Sequence, residues 1–168
     1  VRGLPTCGIN QLRARPPKEV KAICGDAVIG RGNATVEVAF PDQKPFDSTG
    51  PLILFNGGER GGVVTMLAYA YVSVPAPTAV VATAKLNRVN KGPYGLHPVI
   101  DVPVIAGGSG SVVAASIEMG RTYAYKGRRR SVFSGRCPDG RIQVRGTFEY
   151  SDGTSMSGAV LRACTATG

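Results

Sequence analysis

One histidine, four cysteines, eleven carboxylates and twenty basic side chains are the groups in this 168-residue chain that could do chemistry. His97 sits in Tyr94-Gly-Leu-His-Pro98. A hydrolytic triad sets such a histidine beside a Ser or Cys nucleophile and a carboxylate. Asp101 lies four residues on, which in a strand is about 13 Å along the chain. There is no G-x-S-x-G elbow. A hydrolase working through His97 is therefore the least favoured of three readings, because no orienting partner can be named. One histidine, no C-x-x-C and no paired acidic ligands match neither zinc nor EF-hand spacing. Two facing carboxylates are needed for glycoside hydrolysis, yet the acids are scattered, and Glu37 and Glu149 fall in strands on expected solvent faces. Asn56–Gly62 has the composition of an anion-binding nest but lacks the Gly-Lys-Ser/Thr ending of a P-loop. It reads as a hairpin turn. No catalytic residue, metal ligand or cofactor is assigned.

Binding chemistry is better served. Segment 121–145 carries eight basic residues against Asp139 alone, which is +7 of the net +9. The candidate binding group is Arg121, Tyr123, Tyr125, Lys126, Arg128, Arg129, Arg130 and Arg136. Pairing Lys126 with Ser131 sets Arg121 opposite Arg136 on the tyrosine face, with Arg128-Arg129-Arg130 at a hairpin tip. Aromatic rings beside cations hold a sugar face, a nucleobase or an acidic polymer. The plainer alternative is a solvated basic hairpin with both tyrosines in the core beside Val132. Asn33-Ala-Thr35 matches the N-glycosylation pattern, which matters only in a glycosylating host.

These side chains need elements to carry them. From Cys137 to Cys164 the pattern is strict. Ile142, Val144, Phe148 and Tyr150 alternate with Arg141, Gln143, Arg145, Thr147 and Glu149, giving a strand with one buried and one wet face. Asp139-Gly140 and Asp152-Gly153 supply the positive φ of tight reversals. Upstream, Ala34–Phe40, Leu52–Phe55, Val63–Val74, Val80–Val89, Tyr94–Val104, Ser111–Met119, Arg121–Lys126 and Ser131–Arg136 read as strands. Neither face of Val63–Val74 is charged, so it is central. Pro98 and Pro103 put Tyr94–Val104 at an edge. Only residues 1–25 differ: Pro16-Pro17 ahead of Lys18–Cys24, with Gly25 after, mark one or two helical turns. About ten short strands in a Gly- and Pro-rich chain indicate a single all-β domain over 1–168, an antiparallel β-sandwich with a jelly roll as one form of it.

An even number of cysteines without metal spacing favours two disulfides and an oxidising compartment. The preferred pairs are Cys7–Cys24 and Cys137–Cys164. A symmetric set of hairpins would put Cys137 and Cys164 on either side of one strand, too far apart to bond, so Cys137 must curl over the strand end; Cys24–Cys137 stays open. No apolar run approaches the roughly 20 residues of a membrane span.

Leu54-Phe-Asn-Gly57, Val74-Pro-Ala-Pro77, Pro103–Ser111, Tyr125-Lys-Gly127, Cys137-Pro-Asp-Gly140, Arg145-Gly-Thr-Phe148 and Asp152-Gly153, with the closing Cys164, form a set of motifs along most of the chain. Together they resemble a group of exported β-rich proteins of high-GC actinobacteria. The resemblance implies secretion with the signal peptide removed, or a cell-surface location. That group carries no assigned activity, so no site residue transfers. The expectation is a non-catalytic extracellular structural or interaction module whose partner is itself, as an oligomer or filament. The alternative is a binder of an anionic glycan or other polyanion through 121–145; the exported location disfavours nucleic acid.

Overall fold

The computed structural model describes residues 1–74, 76–92, 94–135, 137 and 139–165. They fall into two compact units, Val1–Arg88 with Leu96–Phe133, and Val89–Gly95 with Ser134–Gly168. The chain is all-β with a short helical start: α1 Ile9–Leu12, α2 Pro17–Cys24, β1 Val28–Val38, β2 Phe46–Arg60, β3 Val63–Val72, β4 Thr78–Lys91, β5 Tyr94–Asp101, β6 Gly110–Glu118, β7 Thr122–Tyr125, β8 Arg128–Ser131, β9 Arg141–Glu149 and β10 Ser155–Ala163. Six strands form one sheet in the order β5-β4-β3-β2-β1-β6, and β7–β8 and β9–β10 are two-stranded. Every described pairing is antiparallel. Pairing thus yields one large sheet and two hairpins, where strand spacing alone suggests two facing sheets.

β3 lies inside the sheet with both faces packed. Phe55, Leu67, Tyr69 and Val81 project to one face, where Cys7, Leu12, Val20, Cys24 and Ala27 cover them. On the other face Val36, Val38 and Val72 meet Ile105, and Ile29, Leu54 and Met66 meet Val132 and Met119. Each large aliphatic side chain buried this way contributes about 1.5–3 kcal/mol. The apolar run of β3 predicts this central place, and Pro98 likewise predicts the edge place of β5.

α2 begins as its sequence dictates, with Pro17 in the first turn. Val20 and Cys24, four apart, make its buried stripe. Eight residues do not hold a helix in water, so packing and the Cys7–Cys24 disulfide do so (Cα–Cα 5.6 Å). Closing that loop contributes roughly 3 kcal/mol in the chain-entropy model.

β2 is longer than its apolar run. Ladder pairing continues through Asn56 to Arg60 with a bulge at Asn56/Gly58. The reversal narrows to Gly61-Gly62, both at positive φ. Asn56–Gly62 is therefore mostly strand. Its buried Asn56 is satisfied by backbone groups, which lets a polar residue continue the strand. At Gly50 a Cβ would lie 2.0 Å from the Tyr71 carbonyl oxygen, and at Gly32 1.8 Å from that of Ser116. Only glycine permits those close strand approaches.

In the second unit, β9 and β10 pair from Ser155↔Glu149 to Ala163↔Arg141. Thr154 donates its backbone N–H (2.9 Å) and hydroxyl (2.7 Å) to one oxygen of Asp152. Those bonds hold the Asp152 carboxyl below its ordinary value. The other Asp-Gly does something different. Gly140 N–H closes a turn onto the Cys137 carbonyl, and Cys164 N–H bonds to the Gly140 carbonyl. No strand over 131–135 pairs with β9 among the described residues. The turn instead folds Cys137 back to Cys164, and the disulfide forms at a Cα–Cα distance of 6.3 Å.

Tyr69 gives a test of the packed face. It is fully buried, stands edge-on to Phe55 at 6.5 Å, and donates its hydroxyl to the Arg15 carbonyl at 2.7 Å. Burial, then the neighbouring Tyr71, push its pKa up to about 12, against about 10 in an unfolded chain. Between pH 10 and 12 the native state keeps a proton that the unfolded state releases. Stability is therefore complete below pH 10 and falls through that window, by up to about 1.4 kcal/mol per pH unit. Tyr69→Phe should cost about 1–2 kcal/mol at pH 7 by orphaning the carbonyl, yet unfold less steeply with rising pH. Urea titrations of both proteins at pH 7, 9.5 and 11 check this; parallel alkaline losses would exclude Tyr69 as the titrating group.

Candidate functional site

The candidate binding residues gather on the β7–β8 hairpin. Its register is Thr122↔Ser131, Tyr123↔Arg130, Ala124↔Arg129 and Tyr125↔Arg128. Lys126-Gly127 is the two-residue turn, with φ of 51° and 72°. Two positive φ values match the right-handed twist of a hairpin. This corrects the expected Lys126–Ser131 pairing. Gly127 takes the second turn position instead, and Arg128 starts the return strand. Arg128-Arg129-Arg130 are consecutive strand residues and not a tip. The place opposite Arg121 belongs to Val132, whose N–H bonds to the Arg121 carbonyl at 3.0 Å. Arg136 lies outside the described residues.

Alternation sorts the cations. Arg128 and Arg130 stand beside Tyr125 and Tyr123 on one face. Arg129 is on the other, where it makes one long contact with the Thr122 hydroxyl at 3.5 Å. All three are exposed, while Tyr123 and Tyr125 are half-buried. The Tyr125 ring lies against Gly3, where a Cβ would come within 2.3 Å of ring carbon Cδ2. Lys126 Nζ lies 5.8 Å from the centroid of that ring. The tyrosines are neither core nor free platforms: both are half-buried, and Tyr123 and Tyr125 stand across the ladder from Arg130 and Arg128.

Arg121 is different. Its Nη1 donates to the Asp26 carbonyl at 2.6 Å and the Val28 carbonyl at 2.7 Å. It ties the start of β7 to the start of β1, so it acts as a clamp between them. It borders an open cleft of about 460 Å³ with Gly30, Arg31 and Glu118.

A smaller cleft of about 290 Å³ lies between the N-terminal residues, the β2–β3 turn and Tyr125. Two features absent from the sequence reading build it. Asn56, almost fully buried, donates its side-chain amide to the Leu4 and Pro5 carbonyls at 3.3 and 3.0 Å. Its Oδ1 accepts the Gly58 N–H at 3.0 Å. Arg2 forms a two-pronged pair with Glu59, Nε–Oε2 2.8 Å. The pair holds Glu59 below the ordinary carboxylate range and raises Arg2. Burying Asn in an Asn-Gly-Gly stretch demands partners, and that was the available signal; the Arg2–Glu59 pair left none.

His97 and Asp101 are exposed on the edge strand β5, and Glu37 and Glu149 are exposed on β1 and β9. Among the described residues, no three His, Cys, Asp or Glu side chains gather as a metal-binding group. No protein-family model, curated protein or solved structure matches the chain.

The described hairpin cations therefore split into a structural one, Arg121, and four solvent-facing ones, Lys126, Arg128, Arg129 and Arg130. Arg121→Ala should cost about 2 kcal/mol, since two charge-assisted hydrogen bonds disappear and two carbonyls lose their donor. Arg129→Ala should stay within about 0.5 kcal/mol of the parent, as exposed substitutions do. Denaturant midpoints measure both; equal effects would remove the distinction.

Proposed function

We propose that the protein is a non-catalytic extracellular structural or interaction module that self-associates. The observation that carries this reading is the edge of the six-stranded sheet at β6, which no further strand joins among the described residues. In a chain with twenty Lys and Arg, none occurs between Lys91 and Arg121, the stretch that holds both edge strands. β5 is guarded by Pro98, which has no N–H to offer. β6 carries no proline, and Glu118 is its only charge. Val112, Val113 and Ile117 are 45%, 53% and 45% exposed. Such an edge is a template for another strand, and it is the part of a strongly basic molecule where a second copy meets the least local like-charge repulsion. A bulge at Val113 breaks the register with β1, so Ala114–Glu118 is the regular run. Exposed apolar residues on β9–β10, such as Phe148 and Met156, add sticky surface. Two disulfides support an oxidising, exported setting. No described helix is long and apolar enough to cross a membrane.

Antiparallel pairing of two β6 runs about Ser116 sets Ala114 opposite Glu118 and Ser116 opposite itself. Sedimentation should then show a concentration-dependent dimer, and Ser116→Lys, which brings two lysines together, should weaken it at least tenfold. A monomer at every concentration and salt would end the self-association reading.

A second reading is favoured by the paired Tyr123–Arg130 and Tyr125–Arg128: a polyanion site on the hairpin. Arg128→Ala/Arg130→Ala should elute from a sulfated-polysaccharide column at clearly lower salt than the parent, because screening acts on those charges. Unchanged elution would place the retention elsewhere.

A further inference from the structure

β8 is a strand edge as well as a basic patch. It pairs with β7 on one side, and no strand occupies its other side among the described residues. Its three arginines are all exposed and make no ion pair with a described carboxylate. They also occupy consecutive positions, so they point alternately to opposite faces of the hairpin. A polymer lying on one face meets Arg128 and Arg130 but turns away from Arg129. An extended peptide along the edge meets all three, since its own side chains alternate in the same way. Opposite charges directly across a strand pair stabilise it by about 0.2–1 kcal/mol each, and the free N–H and C=O groups of β8 supply the ladder. A second copy of this chain is a poor occupant, because a run of arginines repels a molecule of net charge +9.

We propose that the outer edge of β8 takes an extended acidic peptide as a third strand, with three consecutive carboxylates opposite Arg130, Arg129 and Arg128. This rests on reading β7–β8 as a binding element and is independent of association through β6. It is strand addition with charge-set specificity.

The test is fluorescence anisotropy on the intact protein with three labelled probes. One is the peptide Val-Thr-Glu-Glu-Glu-Thr-Val. Another is the same peptide N-methylated at alternate residues, on the edge that would face β8. The last is a sulfated oligosaccharide of the same net charge. The expected result is saturable binding of the first peptide, weakened at least tenfold by N-methylation and about threefold or more by Arg129→Ala. Equal binding of plain and N-methylated peptides would overturn strand addition. Binding of the oligosaccharide without the peptide would overturn it too, while leaving the polyanion reading in place. No binding of any probe would remove both. Because Arg129 is solvent-facing, loss of fold does not confuse the outcome; the denaturant midpoint of Arg129→Ala verifies that.

Discussion

β3 has apolar side chains on both faces, and a strand of that kind must be covered twice. The cover on one side is the N-terminal segment. α1 has four residues and α2 eight, too few to persist alone in water. Cover and covered are thus mutually dependent. Phe55, Leu67 and Tyr69 need Leu12 and Val20 above them, and the helical turns exist because those residues are beneath. The Cys7–Cys24 bridge limits how far the unfolded segment wanders, and the Tyr69 hydroxyl fixes where it lands by bonding to the Arg15 carbonyl. Apolar contact is non-directional; that hydrogen bond gives it a register.

The opposite face is closed by later parts of the same unit, and this sets the meaning of the basic hairpin. Val132, partly buried, packs against Ile29, Leu54 and Met66, and Arg121 grips the carbonyls at the start of β1. These two residues face each other across the β7–β8 ladder, at its end away from the turn. The hairpin is anchored at that end, and near its turn the Tyr125 ring packs on Gly3. Arg128, Arg129 and Arg130 lie on the return strand and are exposed.

Much of the fold was legible because it rests on local rules. Uncharged faces marked β3 as central, Pro98 marked β5 as an edge, and Pro17 with Gly25 bounded α2. Alternation located β9, whose partner strand reversed at Asp152-Gly153. The errors arose where two local readings compete. Asn-Gly-Gly looks like a loop, yet Asn56 finds backbone partners in the N-terminal segment some fifty residues away, and sequence proximity cannot reveal them. Lys126-Gly127 and Arg128-Arg129-Arg130 both resemble a tip. The choice falls to the residue pair that accepts positive φ, and a lysine in that conformation is not an obvious one. The role of Arg121 was hidden for the same reason as that of Asn56, since its acceptors are carbonyls at positions 26 and 28. Among the described candidate residues, Lys126, Arg128, Arg129 and Arg130 are exposed, as the pattern of a basic hairpin suggests, while Tyr123 and Tyr125 are half-buried.

Two kinds of edge then coexist in the first unit. β6 is nearly uncharged and suits an identical copy; β8 is densely positive and suits an unlike, acidic partner. Their responses to salt must differ in sign. Screening lowers the repulsion between two basic molecules, so raising ionic strength favours contact at β6. The same screening weakens attraction of an acidic strand to β8. A chain with cations spread evenly could not separate the two, because every edge would repel its own copy and attract acids alike. Excluding Lys and Arg from residues 92–120 while placing three in succession at 128–130 would let one small β protein carry both proposed contacts without either masking the other.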